Sequence, residues 1–238
     1  MNDGIRDGIK EVEENGQKYT IQYLKGGKLD KNIPTKKVII VGLSGVGKTT
    51  ISFRLITNEF KICSPTISLD LACYKMKIND EIIQMQLWDS CGNDDFAANT
   101  PNLFKSTFIG ILVYEIDKMD SFRDIEKWYN LLKENSIFSF VYLIGNKADL
   151  EEKRQVQTSE GEQLKNDYKF NFFMETSAKS GFNIENLLNK IGIDIYESNK
   201  KEEEIEQNNG RISLKREKLD EPKEEEEQKK MKKKNCCQ

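Results

Sequence analysis

The octapeptide Gly42-Leu43-Ser44-Gly45-Val46-Gly47-Lys48-Thr49 constrains the fold more than any other stretch of the 238-residue chain. It satisfies G-x-x-x-x-G-K-[ST], follows the β-branched run Val38-Ile39-Ile40-Val41 and precedes an apolar-periodic segment from Thr50. Strand, loop and helix must therefore succeed one another there. The glycines let backbone N–H groups converge, with a helix N-terminus, on a phosphate chain. Ser44, Gly45, Val46, Gly47, Lys48, Thr49 and Thr50 are the phosphate-binding candidates. Lys48 can reach β and γ phosphates, and the Thr49 hydroxyl can ligate Mg²⁺.

Similar apolar runs recur at residues 85–88, 109–114, 140–144 and 170–174, and residues 121–134 and 183–196 carry helical periodicity. Residues 68–78 and 81–88, separated by Asn79-Asp80, read as a hairpin. The sum predicts an α/β domain over residues 36–196: a six-stranded, mostly parallel sheet with one antiparallel edge strand and helices on both faces. Residues 1–35 carry Gly4, Gly8, Gly16, Gly26 and Gly27 among charges and read as a flexible extension. Within them, a weak alternation at Tyr19-Thr20-Ile21-Gln22-Tyr23 allows a short strand. Residues 197–238 alternate acidic and basic blocks with few large apolar side chains, which predicts a disordered charged tail or at most a nascent helix.

Composition excludes several functions. Lys plus Arg is 37 against Asp plus Glu at 40, a formal net charge of -3, so no global field favours nucleic acid. The chain has no histidine, which removes His-based nucleophilic triads and imidazole zinc sites. Cys63, Cys73, Cys91, Cys236 and Cys237 are odd in number and lack framework spacing, and residues 1–10 lack a signal-peptide core, so a reducing cytosolic setting is expected. No run approaches the roughly 20 apolar residues of a membrane span, leaving a covalent or peripheral anchor as the route to a bilayer.

Two further motifs carry chemistry. Asp89, after the 85–88 run and before Gly92, can supply the carboxylate that a phosphate-bound Mg²⁺ needs. Asn146-Lys147-Ala148-Asp149 follows the 140–144 strand, where open α/β sheets bind ligands. An aspartate can accept from both N1–H and the 2-amino group of guanine, whereas adenine offers no such donor pair. GTP and GDP are thus favoured over ATP, against the rival reading of a P-loop ATPase or nucleotide kinase.

In this order the elements resemble a Ras-superfamily small GTPase, and most closely the Rab family. Pro65-Thr66-Ile67 is similar to that family's switch I, and Glu175-Thr176-Ser177-Ala178-Lys179 to its second base-binding loop. The resemblance implies a G domain in which Thr66 ligates Mg²⁺ and senses the γ phosphate. Gly92 would offer its N–H to that phosphate, Ala178 its N–H to the guanine oxygen, and Phe60 would flank the base. Ser177 and Lys179 join the base-binding set. Residues 67–71, 84–88 and 112–115 resemble Rab segments in type, with Trp88 standing between the two switches. Ser68, Leu71 and residues 103–106 depart from the usual letters and mark a divergent member.

Asn93 stands where the resemblance places the glutamine that orients the attacking water. One methylene shorter, it predicts slow intrinsic hydrolysis; the alternative is a GTP-binding scaffold with little or none. Asn235-Cys236-Cys237-Gln238 is not a C-a-a-X box but resembles the twin-cysteine ending that Rab proteins use for double prenylation. Two lipids anchor stably where one is marginal, and residues 229–234 add a modest basic patch. The resemblance implies an exchange factor, a GTPase-activating protein, effectors at the switches and the prenylation machinery as partners. It places the chain at the cytoplasmic face of an intracellular membrane, cycling with cytosol.

Overall fold

The computed structural model describes residues 8–24, 29–63, 70–90 and 101–219. In chain order they form β1 (Ile9–Glu14), β2 (Gln17–Leu24), β3 (Thr35–Val41), α1 (Lys48–Thr57), β4 (Asp70–Ile78), β5 (Glu81–Asp89) and β6 (Thr107–Glu115). There follow α2 (Met119–Arg123), α3 (Ile125–Asn135), β7 (Phe140–Asn146), α4 (Thr158–Tyr168), β8 (Phe172–Glu175) and α5 (Ile184–Leu219). The strands make one sheet in the order β1-β2-β4-β5-β3-β6-β7-β8. From β5 to β8 every neighbouring pair is parallel, and the pairs β1·β2, β2·β4 and β4·β5 are antiparallel.

The central strands are buried on both faces, as a continuous β-branched run demands. Val38 and Ile40 of β3 face one apolar cluster with Ile51 and Leu55 of α1 and Leu187, Leu188 and Ile191 of α5. Ile39 and Val41 face the other, with Trp128 and Leu132 of α3. Since β3, β5, β6, β7 and β8 run parallel, Val41, Asp89, Glu115, Asn146 and Glu175 all lie at the same edge of the sheet. That edge, at the switch point beside β3, is where ligands of such sheets bind.

Three features of this domain differ from the sequence reading. The sheet has eight strands rather than six, because residues 9–24 are a hairpin within it and not a flexible extension. The weak alternation at Tyr19, Ile21 and Tyr23 is the buried face of β2, packed into the core cluster shared with α1 and α5. The predicted helix over 121–134 is two, α2 and α3, broken at Asp124. Helix α4, with a Gln157–Glu160 capping box, was not foreseen.

The chain divides into two compact units, Met1–Tyr196 and Glu197–Gln238. In the second, α5 continues helical to Leu219, where a disordered tail or at most a nascent helix was expected. Glutamate and lysine are good helix formers, and opposite charges three apart, such as Lys200 and Glu203 at 3.3 Å, support a turn. The rest of that expectation, residues 220–238 with Cys236 and Cys237, lies outside the described residues. No helix among the described residues is long and apolar enough to cross a membrane.

Candidate functional site

The loop after β3 is shaped by its glycines. Gly47 caps α1 with φ 95°, and a Cβ there would sit 2.4 Å from the Asn146 amide nitrogen. Gly42 has φ 145°, and its Cβ would sit 2.2 Å from the Val113 carbonyl oxygen. Neither position accepts a side chain. Lys48, 5% exposed, turns its ammonium back to donate to the Gly42 and Leu43 carbonyls at 2.8 and 3.0 Å. The charge is thereby held inside the loop. Ser44 and Gly45 are exposed on it, while Thr49 and Thr50 stand in the first turn of α1.

Asn146 ties three loops together. Its amide donates to the Val46 carbonyl at 2.8 Å, and its Oδ1 accepts from the Ala178 N–H at 3.3 Å and the Thr176 hydroxyl at 3.4 Å. At 2% exposure it acts as a buried strut between phosphate loop and base loop. Lys147 follows with φ 65°, its ammonium paired with Glu115 at the end of β6. Asp149 accepts from the Ser177 hydroxyl at 2.5 Å and has the Lys179 ammonium 3.8 Å away.

A cleft of about 270 Å³ opens among these groups. Gly45, Gly47 and Thr50 from the loop after β3 and the start of α1 line it, together with Asn146, Lys147, Asp149, Ala178 and Lys179. Phe60 lines it as well, half in solvent at 41% exposure. Val46 and Ser177 are hydrogen-bonded to two of these lining residues, Asn146 and Asp149.

Asp89 ends β5 opposite Ile40 of β3, one residue short of the phosphate loop's strand end, and is 3% exposed. Ser90 fixes that corner, its hydroxyl donating to the Ile40 carbonyl at 2.8 Å. Among the described residues no group of three or more metal-ligating side chains stands ready to hold an ion unaided. A carboxylate with a helix-start hydroxyl is nevertheless the hard oxygen donor set that suits Mg²⁺, which keeps waters and takes phosphate oxygens for its other positions. Thr66, Gly92 and Asn93 lie outside the described residues.

Several participants were missed from sequence. Ile62, Cys63 and Leu150 also line the cleft. Glu115, which holds Lys147, was within reach of the rule that strand C-terminal ends carry function. The Arg154 guanidinium grips Glu175 through two bonds of 2.7 and 2.8 Å and also binds Glu151, locking the turn after Asp149 to the strand before Thr176. These bonds raise Arg154 above its already high value, so it stays charged at any working pH. Half-buried Trp88 lies 3.9 Å under the Lys37 ammonium, which also donates to the Leu103 and Lys105 carbonyls.

Sheet and cleft together define a P-loop nucleotide-binding domain. The sequence model of the Ras family matches residues 37–197. Ras-related protein Rab-11B of Dictyostelium discoideum is 35% identical over 164 residues, which cover 68% of this chain and 74% of that protein. The chain belongs to the Ras family and is a Rab-like small GTPase, of the class that serves vesicle traffic. GTP hydrolysis is that family's activity, with GTP, GDP and Mg²⁺ its ligands.

Proposed function

We propose that this chain is a Rab-like switch that binds GTP and GDP in the cleft, hydrolyses GTP slowly by itself, and works at a membrane through a lipidated tail. The observation that carries it is Asn146, whose bonds to Val46 and Ala178 join the phosphate and base loops into one preformed cleft. Backbone N–H groups of residues 44–50 and the α1 N-terminus receive the phosphates, with Lys48 neutralising the β and γ charge. Asp149 accepts the guanine N1–H and amino protons, and Ala178 donates to the guanine oxygen. Thr49, Thr66 and Asp89 would hold Mg²⁺, which would supply charge neutralisation for the phosphate oxygens. Thr66 and Gly92 bind the γ phosphate side, and their release after hydrolysis frees effectors.

Asn93 is the departure that sets the rate. A water held about 1 Å out of place lowers the rate by about 10²-fold. The same residue favours a second reading, a GTP-bound scaffold that scarcely hydrolyses. The tail reading assigns prenylation to Cys236 and Cys237, with the cytoplasmic face of an intracellular membrane as the place of work. Exchange factor, GTPase-activating protein and effectors act at the switches. Single-turnover hydrolysis of bound GTP by the full chain, with and without Asn93→Gln, tests the rate claim. The glutamine variant is expected to be at least about tenfold faster; equal rates contradict the role given to Asn93, and no phosphate release from the wild-type chain favours the scaffold.

A further inference from the structure

We propose that the β1–β2 hairpin governs how long nucleotide stays bound, by holding the first turns of α5 and, through them, the loop that carries Ala178. The inference rests on the nucleotide reading above. Glu185, in the first turn of α5, accepts from the Lys10 ammonium and, at 3.0 Å, from the Tyr23 hydroxyl. The Tyr23 oxygen also lies 2.6 Å from Oδ1 of Asn189, one helical turn on. The next residue, Lys190, joins Glu14 of the hairpin at 2.5 Å to Asp194, a turn further on, at 2.8 Å. The hairpin thus grips the first two turns of α5 at Glu185, Asn189 and Lys190.

Between Glu185 and the base loop there is little slack. The Ser177 N–H donates to the Phe182 carbonyl at 3.0 Å, and the Gly181 N–H returns to the Ser177 carbonyl at 2.8 Å. The Ile184 N–H reaches the Gly181 carbonyl at 3.2 Å, and the Asn183 amide binds the Glu175 carbonyl at 2.9 Å. Loop and first turn form one hydrogen-bonded unit, so a shift of α5 carries Ala178 and Ser177 with it. Ser177 in turn fixes Asp149.

The polar grip can be separated from the hairpin's seating. Tyr19, Ile21 and Tyr23 hold the hairpin by apolar burial, which survives loss of the Tyr23 hydroxyl and the Lys10 charge. The exposed Lys10–Glu185 pair contributes little to stability. Its effect is on position: Tyr23 and Lys10 are positioning residues for the base loop and do not touch nucleotide.

The test uses the full chain carrying fluorescent GDP and Mg²⁺, chased with unlabelled GDP, for wild type, Tyr23→Phe, and Tyr23→Phe with Lys10→Met. Dissociation is expected to quicken by roughly fivefold in the double variant, the lower end of measured coupling between sites. Single-turnover GTP hydrolysis and the melting temperature are expected to stay near wild type. Leu131→Ala, which trims packing in the cluster on the other face of the sheet, serves as control and is expected to leave dissociation unchanged. Unchanged dissociation in the double variant overturns the proposal, and so does equal acceleration by Leu131→Ala, which marks general loosening. A wild-type chain that takes up no GDP overturns the nucleotide reading, and the proposal with it.

Discussion

Tyr142 donates its buried hydroxyl to Asp194, which also accepts from Lys190. Burial first, then the Asp194 charge and hydrogen bond, hold this phenol well above its ordinary value of 10.0. Between that value and the raised one, the native protein keeps a proton that the unfolded chain has lost, so stability falls as pH climbs past the ordinary value. Burial works to lower Lys190, but its hydrogen bonds to Asp194 and Glu14, with their charges, outweigh it and raise the ammonium above 10.5. Its stabilisation is complete below 10.5 and is lost as pH rises through the raised value. Lys37 opposes, since burial lowers its ammonium and stability gains with pH just below 10.5. Urea unfolding from about pH 9 to about pH 11 is expected to show a net alkaline loss, made shallower by Tyr142→Phe. An identical slope in that variant contradicts the assignment. At this scale the motif letters Lys48, Asn146 and Asp149 were legible, because their chemistry follows from residue type and spacing. The strut role of Asn146 was not: it depends on residues 46, 146 and 178 meeting in space.

The hairpin is the element that most changes the reading of this chain. Residues 9–24 were expected to be flexible because charged residues and glycines dilute a short apolar alternation. A stronger local signal was present in Asn15-Gly16, where φ of 51° and 77° suits a two-residue hairpin turn. Its consequence is energetic. Tyr19, Ile21 and Tyr23 are 2%, 0% and 7% exposed, and burying each contributes about 1.5–3 kcal/mol. Together that is a large share of the roughly 5–15 kcal/mol by which domains are stable. β2 also covers the edge of β4, whose unpaired backbone groups would otherwise invite another strand. A fragment of residues 36–196, the domain as sequence alone bounds it, is expected to melt well below a fragment of residues 8–196 and to bind a hydrophobic dye. Equal melting of the two contradicts an integral hairpin. The break at Asp124 and the run of α5 to Leu219 were illegible for a related reason: apolar periodicity continues across the first and stops before the second.

At the scale of the whole molecule, alternating strands and helices disclosed the α/β class, and the loop after β3 fixed where the ligand edge lies. What sequence could not supply was the joining of separate loops into one cleft. The Arg154–Glu175 grip, the Glu115–Lys147 pair and the packing of α5 on the hairpin each connect residues far apart in the chain. The central claim is that this assembly reads guanine through Asp149. Displacement of labelled GDP by GTP, ATP and xanthosine triphosphate, in wild type and Asp149→Asn, tests it most directly. Wild type is expected to prefer GTP over ATP by roughly 10⁴-fold, as sites that pair buried polar groups do. An asparagine amide can donate to the xanthine carbonyl that replaces the guanine amino group, so the variant should favour xanthosine triphosphate. A variant that keeps wild-type GTP affinity and selectivity contradicts the account.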